Sequence, residues 1–542
     1  MPLSLQTAVL DRKAIFFLLT IISGVIILFP ERNYQRWLAV GDHGRDLYAF
    51  QETAQGGKPY RDYWWVYGPL MPYYYGLIFK IFGFHVKSVL WGRMVLLVLS
   101  GIFFYMILSR LMAPPLAFVG GVWFLTHPPE FQHTYNHVGA IAMLLGATYF
   151  LFQYIQKTHV RSLYLGMTCI FILSLIKFNI GMTAWMTFLL SVLFIDWLHK
   201  NPFCKKKKRF YWLATLALPV MTLFIYYLFL YTLPLYAIRQ CFPLLSKDYQ
   251  YHTSLVHNLM NYFQGILLYM NANKSNTFFS GIVILSVIFA GYAFIQKNRD
   301  SQWKVQVGLM IFVLWMFAVF NLHEFLRSGL WYRSHWSDPF TLLLIFVLIA
   351  TALVHFPRWV HFLLFGSLLM AAGGQQWDHV RKIQTHKWPQ HYLELERLQI
   401  YVGNSPQWIE TVRQATKYLQ THLKRDELFF ALPYDPLYYF LTHKKSPTRQ
   451  LIFFDHIHIP LEQEQRIIQE LEEKAVNYVL VSSRAKSPEH GMGWLGKSYC
   501  PLLGRYLLEN FRSIAIMGDW KNPPGWHKNH GVQILERVPK GI

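Results

Sequence analysis

Residues 41–83 read GDHGRDLYAFQETAQGGKPYRDYWWVYGPLMPYYYGLIFKIFG. The stretch begins polar and acidic and ends in tyrosines, prolines and apolar residues. An apolar run stands on either side of it, at 14–30 and at 88–109. A helix needs about 20 apolar residues to cross a bilayer, so a charged stretch between two such runs reads as a loop joining membrane elements. Composition agrees. Of 542 residues, 54% are hydrophobic and only 15% charged, where soluble domains carry about 25% charged residues. That balance speaks against a soluble enzyme. An aromatic content of 18% with ordinary Gly and Pro counts excludes disorder and collagen-like repeats.

Working outward, apolar runs near span length recur at 14–30, 67–83, 88–109, 111–127, 137–156, 161–177, 180–198, 210–232, 277–297, 305–322, 338–356 and 358–374. The run 111–127 is short and carries Pro114 and Pro115. The net charge of +22 divides into +17 over residues 1–375 and +5 over 376–542. The excess therefore falls between apolar runs, as in cytosolic loops of membrane proteins, rather than in a nucleic-acid-binding patch. The basic connectors are Arg12–Lys13, Arg110, Lys157 with Arg161, Lys200 to Arg209, Lys297 to Lys304, and Arg358. They all fall on one side only if 67–83 does not cross, and its two prolines, its tyrosines and Lys80 fit an amphipathic interfacial helix. The expectation is a polytopic α-helical membrane protein of about eleven spans, the N-terminus cytosolic and the tail outside. The first run reads as an uncleaved signal anchor, and KKKKR at 205–209 reads as a topology signal.

Three segments then lie outside: 31–86, 235–276 and the tail from about 376. In the tail, LFFAL (428–432) and YVLVSS (478–483) read as strands. LEQEQRIIQELEEKA (461–475) reads as an amphipathic helix with Leu461, Ile467, Ile468 and Leu471 on one side. The expected organisation is a membrane domain over 1–375, with 31–86 as its first outside loop, and an extracytoplasmic α/β domain over 376–542. The four cysteines, Cys169, Cys204, Cys241 and Cys500, lack metal-site spacing and are too few for a disulfide scaffold. Pairing of Cys241 with Cys500 stays open, since sequence does not give proximity.

Candidate chemistry gathers at the outside edge. Asp42 and Asp46 are four apart, which places them on one face of a helix. A carboxylate there suits a general base or charge stabiliser, against the plainer reading of a helix-capping loop acid. Lys177, in SLIKFNIGMTAW, ends the run 161–177 on the outside, where a basic residue opposes the charge rule. It is a lipid-phosphate ligand or a snorkelling lysine. HEFLRSGLWYRSHWSDP, 323–339, interleaves Arg327, Arg333 and His335 with Trp331, Tyr332 and Trp336. The cations suit phosphate recognition; the aromatics suit an interfacial belt or a sugar-stacking wall. No HExxH motif is present.

The run of features through 41–83, an acid soon after the first span, Gly-Gly-Lys-Pro-Tyr-Arg-Asp, Gly-Pro-Leu-x-Pro-Tyr and Phe-Gly before the next span, resembles the first outside loop of the GT-C membrane glycosyltransferases. The protein mannosyltransferases and the lipid A aminoarabinose transferase are members. The sharp part of the resemblance is 41–83, and its topology extends over 1–375. It implies a polyprenyl-phosphate sugar donor, an inverting transfer and a catalytic acid at Asp42. The family usually has Asp-Glu there, whereas this chain has Asp-His-Gly-Arg-Asp, so Asp46 is a substitute or assistant. By position Lys58 and Arg61 approach the donor phosphate or are solvated loop cations. In HPPEFQHTYNH, 127–137, some members place a second acid, in a few cases a metal ligand. Here Glu130, His133 and His137 are of a kind that holds a divalent cation or makes loop hydrogen bonds.

The expected function is transfer of a sugar to an envelope lipid, a glycan or a protein at the outer face of the inner membrane. The expected partners are the lipid-linked donor, the acceptor and membrane lipids, with no nucleic acid. The tail covers the site or binds the acceptor. Two other classes stay open: a transporter or flippase of lipid-linked sugar, which predicts paired intramembrane charges and repeated halves, and a non-catalytic envelope-assembly protein, which predicts a silent Asp42→Asn.

Overall fold

The computed structural model describes residues 3–29, 41–126, 135–199, 205–241, 302–328, 331–385, 391–401, 406–455, 457–487, 492–522 and 530–539. In chain order the helices before the tail are α1 (Leu3–Ile27), α2 (Asp42–Ala54), α3 (Leu70–Phe82), α4 (Val86–Leu108), α5 (Pro114–Thr126), α6 (Tyr135–Lys157), α7 (Val160–Ile176), α8 (Phe178–His199), α9 (Lys205–Leu230), α10 (Leu235–Cys241), α11 (Gln302–Phe320), α12 (His323–Ser328), α13 (Asp338–Leu353) and α14 (Arg358–Thr385). A 3-10 turn, Trp331–Trp336, precedes α13. The tail carries β1 (Tyr392–Glu394), β2 (Gln399–Tyr401), α15 (Pro406–His422), β3 (Phe429–Leu432), α16 (Leu437–Thr442), α17 (Leu461–Glu473), β4 (Tyr478–Ser482), α18 (Pro501–Asn510), β5 (Phe511–Gly518) and β6 (Gly531–Arg537).

Among the described residues, five stretches are long and apolar enough to cross a bilayer: Val86–Leu108, Tyr135–Lys157, Phe178–Trp197, Tyr211–Leu230 and Val305–Leu326. They coincide with the expected runs at 88–109, 137–156, 180–198, 210–232 and 305–322. The run expected at 277–297 and nearly all of the outside segment 235–276 lie outside the described residues. At 67–83 the helix α3 has 13 residues, about 20 Å at 1.5 Å per residue, short of a bilayer core; the expected runs at 111–127, 161–177 and 338–356 likewise form helices below span length, of 13, 17 and 16 residues. The last expected run, 358–374, lies in a helix that continues to Thr385.

The chain divides into two compact units, Met1–Arg32 with Arg93–Ile225 and Tyr251–Val380, and Asn33–Gly92 with Tyr226–Gln250 and Arg381–Ile542. In the first, α6, α7 and α8 pack side by side with α11, α11 lies against α13, and α1 lies against α5. Their outer faces stay apolar: Ile15, Ile22 and Ile26 of α1, Leu216 and Val220 of α9, and Phe362 and Met370 of α14 are exposed. Rows of this kind suit lipid and not water. Polar side chains on these helices turn back onto their own backbone, as Thr148 Oγ1 does to Leu144 O (3.0 Å) and Thr187 Oγ1 to Thr183 O (2.8 Å). In hydrocarbon a hydroxyl with no other partner must do so. Small residues bring the helices close. A Cβ at Gly181 of α8 would stand 2.4 Å from Ser174 Cα of α7, so the helix pair closes over a missing side chain.

In the second unit a four-stranded sheet runs β3-β4-β6-β5. The pair β3–β4 is parallel, and β6 is antiparallel to both β4 and β5. A parallel pair needs a crossover connection, here the segment that carries α16 and α17. The strands expected at 428–432 and 478–483 are β3 and β4, and the helix expected at 461–475 is α17. Its inner face differs from the expected one. Gln463, Glu464, Ile467 and Leu471 are buried, whereas Leu461, the first residue of the helix, is 57% exposed. Cys500 is a buried free thiol.

Residues 41–92 and the tail belong to this same unit and are stitched together. The Trp64 N–H donates to Arg449 O (2.8 Å) and the Val86 N–H to Arg397 O (3.0 Å). Arg397 reaches Gln51 Oε1 (3.0 Å) and the Ser446 N–H donates to the Tyr48 hydroxyl (2.8 Å). Phe79 stacks on Phe440 with ring centres 5.9 Å apart. Within 41–83, expected as part of an outside loop with interfacial helices, α2 is a core element, buried from His43 to Ala54.

Two glycine substitutions test the close packing. Gly181→Ala, which meets backbone, is expected to cost about 1–3 kcal/mol and to lower the thermal midpoint of the detergent-solubilised protein. Gly366→Ala, with nothing within 4 Å, is expected to be neutral or to stabilise by up to about 1 kcal/mol. Equal midpoints for the two variants would contradict this packing.

Candidate active site

The chemistry of the second unit centres on the start of α2. Gly41 precedes it with φ 60 and ψ −121, a backbone conformation that only glycine adopts readily. This turn makes Asp42 the first helical residue, where a carboxylate also meets the positive end of the helix dipole. One turn on, the Arg45 guanidinium is buried between two acids. Its Nη1 lies 2.9 Å from Asp42 Oδ1 and its Nη2 2.8 Å from Asp46 Oδ1, with Nε 3.1 Å from the same Asp46 oxygen. The guanidinium carbon stands 5.8, 5.6 and 5.1 Å from the ring centres of Trp64, Trp65 and Tyr67, within cation–π range.

The two acids are not equivalent. The Asp46 side chain is fully buried, whereas that of Asp42 is 42% exposed. The Tyr434 hydroxyl, just beyond β3, donates to Asp42 Oδ1. Burial by itself would raise the Asp42 pKa, but the Arg45 cation, the Tyr434 hydrogen bond and His43 together hold it below the ordinary 3.8. Tyr434 titrates well above 10, chiefly through burial and then through the neighbouring Asp42 charge, so it remains a donor. The unit thus presents one ionised, reachable carboxylate oriented by two donors. Lys58 is exposed, and its backbone is fixed on Asp62, the N–H donating to Oδ2 (2.8 Å) and the carbonyl accepting from the Asp62 N–H (3.0 Å). Arg61 is exposed and pairs with Asp62 (2.7 Å).

In the first unit, Lys177 caps α7 and its Nζ lies 2.9 Å from Glu324 Oε1 and 4.7 Å from the Trp336 ring centre. Trp336 is fully buried and its indole N–H donates to Glu324 Oε2 (2.8 Å). It is therefore part of neither an exposed belt nor an exposed sugar-stacking wall. His335, beside it, is buried and faces His137 at the start of α6, ring centres 6.2 Å apart. Arg333 lies on the same 3-10 turn. Arg327 lies on α12, with its side chain outside the described part, as are those of Trp331 and Tyr332. Glu130 and His133 fall outside the described residues. Among the described residues no group of three or more His, Cys, Asp or Glu side chains is placed to hold a metal ion.

Sequence reasoning missed Tyr434 and Glu324. Both carried a weak signal. Tyr434-Asp435 is the polar step at the carboxyl end of a recognised strand. Glu324 is an acid inside a stretch read only for its cations.

The sequence matches no protein-family model and no curated protein. The fold, however, is that of the GT-C membrane glycosyltransferases. The Archaeoglobus fulgidus oligosaccharyltransferase in its apo form aligns at TM-score 0.58 and 10% identity, over 97% of this chain and 88% of that one. ArnT from Cupriavidus metallidurans, bound to undecaprenyl phosphate, aligns at TM-score 0.55 and 11% identity, over 96% and 97%. At such identity the likeness establishes the fold.

Two substitutions test the charge arrangement. Arg45→Met leaves two carboxylates without their cation, one of them buried, and is expected to destabilise by about 3–5 kcal/mol, read as loss of folded protein on extraction. Tyr434→Phe removes a donor that favours the ionised Asp42, so the Asp42 pKa should rise. Because the folded pKa of Asp42 lies below its unfolded value, its stabilising contribution is present above 3.8 and lost as pH falls through the folded value. In Tyr434→Phe that loss should begin at higher pH. Acid-unfolding curves that superimpose with wild type would refute the assignment.

Proposed function

We propose that this protein is an integral-membrane glycosyltransferase that moves a sugar from a polyprenyl-phosphate donor to an envelope lipid, glycan or protein acceptor. The reading places it in an inner membrane with eleven spans, a cytosolic N-terminus, and residues 376–542 as an extracytoplasmic domain at the outer face. The observation that carries it is Asp42, an ionised and reachable carboxylate held by Arg45 and Tyr434 within a GT-C fold. Undecaprenyl phosphate bound to ArnT supports the class of donor.

In this reading the acceptor hydroxyl attacks the anomeric carbon with inversion, and its proton passes to Asp42. The bond from that carbon to the phosphate oxygen breaks, and the lipid phosphate leaves with the electron pair. A carboxylate of depressed pKa is a weak base, so it takes the proton only as the new C–O bond forms and the hydroxyl grows acidic. Asp46, fully buried on Arg45, positions the guanidinium and does not touch substrate. Lys177, Arg327, Arg333 and His335 of the first unit, and separately Lys58 and Arg61 of the second, are each candidates to meet the negative charge that develops on the leaving lipid phosphate. His137 belongs with His335, and Glu130 and His133 are the remaining candidates for a divalent cation.

The test is mass spectrometry of envelope lipids and glycans from a deletion strain, complemented with wild type or Asp42→Asn at matched membrane abundance. Wild type should restore a sugar-sized mass increment, and the variant should restore it about 100-fold less or not at all. Equal restoration would remove Asp42 as the base.

A further inference from the structure

Glu324 is 4% exposed and receives donors on both oxygens. Lys177 Nζ lies 2.9 Å from Oε1 and 3.3 Å from Oε2. Asn179 Nδ2 lies 2.6 Å from Oε1, and the Trp336 indole nitrogen 2.8 Å from Oε2. Two elements therefore converge on this carboxylate of α12: the 3-10 turn before α13 and the junction of α7 with α8. Arg333 adds a second cation close enough to act electrostatically on both Glu324 and Lys177. Lys177, Arg333 and Glu324 together carry a formal charge of +1.

A buried ion pair adds little stability over apolar residues of the same volume, so stability alone is a poor reason to keep one in so apolar a unit. Its other use is to keep a cation charged where burial would strip the proton. The pair has a cost for ligand binding. Any anion that reaches Lys177 meets the Glu324 charge a few ångströms away, in a medium that screens poorly. Of the Lys177 side chain, 11% is exposed.

Resting on the lipid-phosphate reading above, we propose that Glu324 is the built-in counter-anion of the phosphate seat. It keeps Lys177 charged while the seat is empty and competes with the phosphate when it is filled. Affinity for the lipid monophosphate product is thereby held down and its release is favoured. Glu324 is a positioning residue in this scheme and touches no substrate.

The test measures binding of undecaprenyl phosphate to the full chain in nanodiscs, with undecaprenol and inorganic phosphate as controls. Glu324→Gln should bind undecaprenyl phosphate about tenfold tighter than wild type, with undecaprenol unchanged and the Lys177→Met variant weakened. A residue of purely structural importance would not raise affinity, so unchanged or weaker binding by Glu324→Gln overturns the proposal. Inorganic phosphate bound as tightly as the lipid would overturn the lipid assignment of the seat. Failure of wild type itself to bind undecaprenyl phosphate would instead overturn the donor reading. If Glu324→Gln does not accumulate, the double variant Lys177→Met with Glu324→Met preserves volume and removes both charges. It should bind about tenfold more weakly than wild type, and binding equal to wild type would overturn Lys177 as the seat.

Discussion

A guanidinium enclosed between two carboxylates and three aromatic rings governs the second unit. Arg45 cannot leave its charge in an apolar site without partners, and both acids of the α2 start are drawn to it. Asp46 pays with complete burial. Asp42, at the helix terminus, keeps an open side. Which carboxylate is chemically available is thus settled by position along one helical turn and not by residue type. Tyr434 fixes the remaining geometry, because a buried phenol needs an acceptor and Asp42 is the acceptor it has found.

The same requirement shapes the first unit. Its helices are apolar enough that each polar group must be satisfied nearby, and small hydroxyls solve this on their own backbone. A lysine has no such local solution. Lys177 finds Glu324, and Glu324 gathers Asn179 and Trp336. Lys58 and Arg61 are exposed and face no such demand, which is why their surroundings are sparse by comparison.

Much of the fold was legible. Hydropathy runs at 88–109, 137–156, 180–198, 210–232 and 305–322 became helices of bilayer length, since an apolar stretch in lipid has few alternatives to a helix. Prolines and tyrosines correctly set α3 apart from them. Strands β3 and β4 showed as short β-branched and aromatic runs. Strands β5 and β6 did not, because neither FRSIAIMG, at the sheet edge, nor GVQILER, inside the sheet, shows a clean alternation of buried and exposed positions. Leu461 misled because periodicity identifies a face and not where along the helix that face begins to be covered.

The sequence by itself determined the apolar runs that became helices of bilayer length, and it set Asp42 and Asp46 one helical turn apart, because hydrophobicity and local spacing are properties of the chain alone. Only the tertiary structure decided that α2 is buried and linked to the tail, that Asp46 is sealed while Asp42 is reachable, and that Lys177 is answered by Glu324. Those pairings join residues 42 and 434, and 177 and 324. Burial and electrostatics act through space, and no pattern in a linear sequence carries the distance between such positions.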